Sequence, residues 1–182
     1  MTLNQLLSEV YTLGFEDAGE LDESFVFSVR RALKMIFTEL VPAVRVKIVI
    51  NEPCENELDL REHFDDVMII TSAPTDKSGR IIRGAFSDGY CITLPDGFTG
   101  EAYVRYKPLP KAIDIDSADE EITIPAFAEH LLPLLTASFV FLDDDAEKAD
   151  YYLTLYRHEV LKLTRATADS INNTYTDVTG WA

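Results

Sequence analysis

The sequence predicts an α+β fold in which helices from both parts of the chain flanking its middle form one bundle, with an antiparallel β module inserted between them. Apolar residues recur at helical spacing near both ends, alternate with polar residues in the middle, and are separated there by glycine-containing turns. The expected boundaries are 1–43 and 125–165 for the helical bundle, 44–108 for the β module, 109–124 for an acidic connector and 166–182 for a tail.

Two amphipathic helices are predicted in the first 43 residues. Thr2 is a good N-cap for the first helix, and Gly14 suits its end. Asp22 is a good N-cap for the second helix, which Pro42 closes. The apolar stripes consist of Leu3, Leu6, Leu7, Val10 and Leu13 on the first helix, and of Phe25, Val29, Leu33, Ile36, Phe37 and Leu40 on the second.

The middle of the chain predicts short antiparallel strands joined by tight turns. The Asp88-Gly89 pair tolerates positive φ and therefore indicates a hairpin. Residues 58–64 are expected to form one helical turn. The strands are expected at residues 44–50, 67–70, 80–86, 90–94 and 101–106.

The segment after the connector predicts two packed helices. Pro125 suits the first position of a helix, and Pro133 inside that helix is expected to bend it or expose a carbonyl. Three aspartates at 143–145 are expected to end it and to favour the start of the next helix, at 146 to about 163. The residues expected to share one core are Leu134, Leu135, Phe139, Leu155 and Tyr156.

The charge balance argues against nucleic-acid binding. There are 32 acidic and 16 basic residues, so the net charge is -16 and the surface as a whole repels phosphate backbones. The exception would be a local patch of cations that are close in sequence: Arg30, Arg31, Lys34, Arg45 and Lys47. In an assembly we expect this patch to meet an acidic neighbour rather than a genome.

The sequence predicts a soluble protein made in the cytosol. The first residues lack the basic and apolar regions of a signal peptide, and the apolar stretch at 126–142 is interrupted and short for a membrane span. Cys54 and Cys91 form no motif. Reduced thiols are the default in the cytosol, with a structural disulfide between them as the open alternative.

The search for catalytic or cofactor-binding motifs predicts no enzyme and no cofactor. The histidines His63, His130 and His158 lie on three different predicted elements, so we expect no metal site. His130 is expected to be a partly buried helix residue. We find no glycine-rich phosphate loop. Paired carboxylates are harder to dismiss as catalytic groups, because some of the 32 acids will fall at catalytic spacing by chance. A small acid-dependent hydrolase is therefore kept as a third hypothesis, after the two functions given below.

A series of short motifs in the C-terminal half carries a resemblance. Ile124-Pro125 leads into LLPLLTASF at 131–139, LDDD at 142–145, EKA at 147–149, YY at 151–152 and LY at 155–156. GEAYVRY at 100–106 and DVTGWA at 177–182 fit the same pattern. Together they resemble neck proteins of long-tailed bacteriophages, in the head–tail connector or adaptor group, closely over 124–156 and loosely over most of the chain.

The resemblance implies a virion structural protein made in the host bacterial cytoplasm. Many copies would form a ring beneath the portal, where an acidic pore lets DNA slide, and the partners would be the portal and other neck or tail proteins. No membrane partner and no catalytic residues are expected. The alternative is a carbohydrate- or protein-binding module that uses the β hairpins. The candidate interface residues are Arg30, Arg31, Lys34, Tyr175 and Trp181.

The last residues of the chain are expected to contribute to that interface. Residues 172–182 are polar, and we expect them to be mobile in the isolated subunit and to order on a partner. Trp181 is an aromatic of the type favoured at interfaces.

Overall fold

The computed structural model describes residues 1–14, 19–50 and 57–175, with the side chains of residue 117 and of residues 165–175 excepted. Within these residues it contains four α-helices and two three-stranded antiparallel sheets, so the predicted α+β class is confirmed. The helices are α1 (Leu3–Leu13), α2 (Glu23–Leu40), α3 (Leu131–Val140) and α4 (Ala146–Tyr175). The strands are β1 (Val44–Ile50), β2 (Glu57–Asp59), β3 (Val67–Ile70), β4 (Phe86–Asp88), β5 (Cys91–Thr93) and β6 (Gly100–Pro108).

The chain divides into two compact units. Unit 1 comprises Met1–Leu33 and Ile113–Ala182, and unit 2 comprises Lys34–Ala112. The division falls within α2, and all six strands belong to unit 2. In unit 1, α3 packs against both α1 and α4. The arrangement of the terminal helices as one bundle stays a prediction.

The predicted caps of the two N-terminal helices are confirmed. Thr2 Oγ1 accepts a hydrogen bond from the backbone N–H of Gln5 (3.3 Å), and the Gln5 side chain accepts one from the Thr2 N–H (2.9 Å). This capping box satisfies two of the backbone donors that a helix start leaves unpaired. Asp22 Oδ1 accepts from the Phe25 N–H at 2.7 Å and so caps α2.

The prediction that Pro125 opens the third helix is wrong, because α3 begins later than the sequence suggests. A separate 3-10 turn spans Ala126–Ala128, and α3 starts at Leu131. Pro133 is therefore the third residue of α3, where a backbone N–H would have no partner within the helix. A proline there removes no hydrogen bond from the helix.

The prediction that the last helix ends near residue 163 is also wrong. Helix α4 continues to Tyr175, so residues 166–175 of the predicted tail are helical. The polar composition of this stretch favours an end to the helix. However, it contains no glycine or proline, the residues that interrupt helices most strongly. Residues 176–182 lie outside the described residues.

Unit 2 contains two sheets with strand orders β1-β6-β3 and β2-β5-β4. Val44 pairs with Tyr106 and Ile50 with Gly100 along the β1–β6 ladder. The predicted strand at 80–86 is wrong except for Phe86, which begins β4. Gly84 has a φ of +83°, which interrupts the extended conformation, and Asp76 accepts hydrogen bonds from Ser78 and Arg80 that stabilise a turn instead.

The two sheets of unit 2 enclose one apolar core. On β6 every second side chain is buried, as the period of a strand with one covered face requires. The buried residues of this core are Ile48, Ile50, Leu60, Val67, Ile70, Ile92, Leu94, Ala102, Val104 and Tyr106. The core therefore includes residues of both sheets.

Tyr106 brings a titratable group into this core. Its side chain is 3% exposed, and its hydroxyl donates a hydrogen bond to Asp66 Oδ1 at 2.7 Å. Burial, helped by the Asp66 carboxylate, raises the pKa of Tyr106 to about 12. Ionisation of the buried phenol is therefore unfavourable in the folded state.

We expect Tyr106 to make the fold less stable at high pH. Its pKa is about 12 when folded and about 10 when unfolded, so this contribution is fully present below pH 10 and is lost as the pH rises through 12. At about pH 11 the loss of unfolding free energy is on the order of 1 kcal/mol. Urea unfolding at about pH 8 and 11 measures it. Tyr106→Phe should lose less stability than the wild type between these pH values, and equal losses would contradict the assignment.

Candidate functional site

The two arginines of the predicted interface are exposed on α2 and contact other groups of unit 1. Arg30 Nε donates a hydrogen bond to the carbonyl of Ile113 at 2.8 Å, and its guanidinium lies 3.9 Å from Asp114. The Arg31 guanidinium lies over the Phe139 ring, 4.2 Å from the centroid. Both cations are thus held against their own unit.

The other three residues of the predicted interface are not brought into a described site. Lys34 is exposed on α2 in unit 2. Tyr175 is the last residue of α4, and its side chain lies outside the described part of the structure. Trp181 lies outside the described residues altogether, as does the rest of 176–182. The interface role of these residues stays a prediction.

The cations on β1 are also engaged within their own unit. Arg45 lies 4.4 Å from the centroid of the Tyr103 ring and donates to the carbonyl of Asp76 at 3.2 Å. Lys47 Nζ donates to Glu101 Oε1 at 3.1 Å. This pair raises the pKa of Lys47 and lowers that of Glu101. These contacts give β1 and β6 a cross-strand network of charge and aromatic pairs.

A cleft of about 360 Å³ lies in unit 1, near the start of α2 and the end of α3. We refer to it as the acidic cleft, because Asp22, Asp143 and Asp144 line it, with Arg31 as its cation. Its apolar lining comprises Tyr11, Phe25, Phe27, Phe139, Val140 and Leu142. Carboxylates therefore outnumber cations in a cleft that also has aromatic walls.

Helix ends explain why the carboxylates gather at this cleft. Asp22 caps α2, and the aspartates that follow α3 lie in the turn before α4. Asp145 Oδ1 accepts a hydrogen bond from the Lys148 N–H at 3.0 Å, which confirms the predicted cap of α4. Asp143 and Asp144 are exposed and line the cleft.

An exposed loop in unit 2 has the opposite composition. We call residues 77–86 the basic loop, because it carries Lys77, Arg80 and Arg83 and no acidic residue. All three cations are exposed. Hydrogen bonds from Ser78 Oγ (2.6 Å) and the Arg80 N–H (2.9 Å) to Asp76 Oδ1 shape its start and lower the pKa of Asp76.

The sequence analysis predicted neither the acidic cleft nor the basic loop, although each has a signal in the sequence. Phe27 lies off the apolar stripe of α2 yet is a large aromatic, and it is 64% exposed. The three cations of the basic loop fall within seven residues of a chain that carries twice as many acids as bases. The cleft itself depends on how α1, α2 and α3 pack, which their separate patterns do not specify.

The carboxylates with shifted pKa values have partners that explain the shifts. Arg61 lowers the pKa of Asp59 through a hydrogen bond, and Lys162 does the same for Glu159. The pKa values of Asp76 and Glu101 are also lowered, as described above. A general acid in hydrolysis needs a raised pKa instead. These four groups therefore fit roles in ion pairs and turns.

The remaining candidate groups are the two cysteines and His130. Cys91 is half-buried on β5, and burial raises the pKa of its thiol, which lowers its reactivity. Cys54 lies outside the described residues. His130, expected to be a partly buried helix residue, is exposed just before α3. Residues 1–14, 19–50 and 57–175 contain no group of three or more histidine, cysteine or acidic side chains placed to hold a metal ion.

Comparison with known proteins assigns no family to this chain. No protein-family model matches the sequence, and a search of curated proteins finds no match. In the described portion, none of the helices combines the length and the apolar composition needed to cross a membrane.

Proposed function

We propose that this chain is a virion structural protein of a tailed bacteriophage, a head–tail connector subunit that forms a ring beneath the portal. The observation that carries the proposal is the stretch at 124–156, where the resemblance to neck proteins is closest. Within it, the LLPLLTASF motif at 131–139 lies in α3, and the EKA, YY and LY motifs at 147–156 lie in α4. The three aspartates at 143–145 lie between the two helices. In this proposal the helix pair is the part of the subunit shared with that group.

Exposed apolar side chains on both units support an assembly role. Phe27, Phe127 and Tyr151 are exposed in unit 1, and Ile81 and Phe86 in unit 2. Scattered exposed apolar residues are normal, but a ring subunit needs apolar area on each surface that meets a neighbour. The charge of -16 fits a pore through which DNA slides.

Co-expression with the portal protein encoded in the same gene cluster tests the proposal. A connector is expected to co-purify with the portal as a complex containing several copies of this chain per portal ring. A chain that does not bind the portal, or a gene cluster without portal, capsid or tail genes, would contradict the proposal. Electron microscopy of the complex would show whether the added density forms a ring.

The second candidate function is a carbohydrate- or protein-binding module. It is favoured by two exposed aromatic residues beside the β4–β5 turn, Phe86 and Tyr90, with Arg61 lying 4.4 Å from the centroid of the Tyr90 ring. A glycan array and a host-protein pull-down distinguish this candidate. Binding that is lost in Phe86→Ala and Tyr90→Ala, without any portal binding, would favour it over the connector.

We predict that the isolated protein does not bind duplex DNA measurably at physiological salt. Non-specific affinity comes from cations that displace counterions, and here acids outnumber bases two to one. Fluorescence anisotropy at about 150 mM salt measures it. Binding tighter than about 10⁻⁶ M that is weakened by substituting Arg30 and Arg31 would exceed the usual non-specific range. Such binding would contradict a pore that repels DNA.

A further inference from the structure

The acidic cleft has the composition of a site for a cationic side chain. Phe27 and Leu142 line it and are 64% and 49% exposed, so both have apolar surface left to cover. Guanidinium and ammonium groups bind favourably over aromatic faces and beside carboxylates. Within the cleft, Arg31 over Phe139 is one example of the first kind of contact. Asp143 and Asp144 add negative charge at the same place.

The basic loop offers the matching groups. Ile81 is 68% exposed and Phe86 is 56% exposed, so this loop presents apolar surface next to its cations. In the sequence, Ile81 stands between Arg80 and Arg83, and the loop is held at its start by the turn at Asp76. A loop whose turn is already formed loses less entropy on binding than a flexible one.

We propose that the basic loop of one copy of this chain binds in the acidic cleft of a second copy. Arg80 and Arg83 would face Asp143 and Asp144, while Ile81 would cover Phe27. Charge complementarity argues for this occupant, because the loop is locally basic in a chain that is acidic overall. The inference rests on the proposed function for the expectation that copies assemble.

Such a contact joins two different surfaces, so every copy carries one of each. Contacts of this head-to-tail kind generate a ring when the rotation between neighbours closes, and an open filament when it does not. Because the ion pairs lie at exposed positions, each contributes little alone and is screened by salt. The association is therefore expected to weaken as the ionic strength rises.

Charge reversal tests the contact, with sedimentation velocity at low salt as the readout. The loop variant is R80E/R83E and the cleft variant is D143K/D144K. We expect the wild type to self-associate and each variant to associate at least about tenfold more weakly, a change of about 1.4 kcal/mol. The variant that carries all four substitutions reverses both partners and should recover most of the association.

Two control variants separate local contact from net charge. R105E/R157E changes the net charge as the loop variant does, at exposed positions outside the basic loop, and should associate like the wild type apart from a small uniform effect of charge. Adding R105E/R157E to the cleft variant D143K/D144K restores the wild-type net charge without reversing the loop, and should not recover the association that the cleft variant loses. Far-UV circular dichroism checks that every variant is folded.

The location is tested with a photocrosslinking amino acid placed at position 81 in a mixture of isotopically light and heavy chains. Crosslinks to the peptides that contain Phe27 or Leu142 of another copy are expected. A monomeric wild type, a loop variant that associates like the wild type, no recovery in the fourfold variant, or crosslinks confined to one copy would overturn the inference. Portal co-purification is measured separately, so failure of the inference and failure of the proposed function are distinguishable.

Discussion

Replacing Leu135 by alanine is expected to lower the free energy of unfolding by about 2–5 kcal/mol. Leu135 is fully buried on α3, the helix that packs against both α1 and α4. The shorter side chain removes apolar contacts and leaves a cavity that its neighbours cannot fill completely. Urea unfolding followed by far-UV circular dichroism measures the loss.

Leu161→Ala on α4 is the matched control for Leu135→Ala. Leu161 is 53% exposed, so the same substitution there should cost under about 0.5 kcal/mol, the range of ordinary surface substitutions. A loss of similar size for both variants would show that Leu135 is no more important than a surface leucine. The packing of α3 between its neighbours would then have to be reconsidered.

Helical spacing predicted the burial of Leu135, but it did not predict how deeply each of the other four residues expected to share its core is buried. Leu135 and Tyr156 are buried, whereas Leu134, Phe139 and Leu155 are half-buried. A heptad-like pattern tells which side of a helix faces a neighbour, since residues three and four apart share a face. How closely that neighbour covers each position depends on the crossing of the helices, which the pattern leaves open.

Short-range features of the fold were predicted best. The caps at Thr2, Asp22 and Asp145 were correct because a cap is formed by residues three positions apart. The strands β1 and β3 were placed correctly, β1 from its alternation of apolar and polar residues and β3 from its short apolar run. The class of fold followed from these local elements.

The errors in the predicted elements arose where one feature of the sequence was given more weight than another that indicated a different structure. Polar composition near the C-terminal end predicts coil, but a solvated helix is also polar, and this stretch has no glycine or proline, the residues that interrupt helices most strongly. The apolar residues at 80–86 predict a strand, but Gly84 among them adopts positive φ. The acidic cleft was not predicted because it is formed by parts of the chain more than 100 residues apart.

Gly14 illustrates a residue whose position was predicted for a different reason from the one that the structure provides. It follows α1 as expected, but its φ of −73° is ordinary for any residue, so left-handed backbone does not require glycine there. Instead, a Cβ at Gly14 would lie well inside van der Waals contact of the Phe141 ring. The need for glycine comes from this close approach.

The Phe141 ring that a larger residue at position 14 would meet is buried among other side chains. Its side chain is 3% exposed and lies against Tyr11 and Tyr152, with ring centroids at 6.3 Å and 6.2 Å. Lys148 Nζ lies 4.5 Å from its centroid and donates to the Gly14 carbonyl at 3.2 Å. The Tyr152 hydroxyl donates to the Leu13 carbonyl. These contacts place two hydrogen-bond donors at the C-terminus of α1, and one of them is the Lys148 cation. Donors and positive charge are favourable at this end of a helix.

Gly14→Ala is therefore expected to lower the free energy of unfolding by about 1–3 kcal/mol through overpacking. When the Phe141 ring is absent, Gly14→Ala should no longer destabilise the fold. Since φ at position 14 is compatible with alanine, Gly14→Ala in a Phe141→Ala background should be neutral or stabilise by up to about 1 kcal/mol, because it restricts the unfolded chain. The double-mutant cycle measures this coupling directly, as the difference between the changes in unfolding free energy that Gly14→Ala causes with and without the Phe141 ring. An equal cost in both backgrounds would mean that Phe141 is not what excludes a side chain at Gly14.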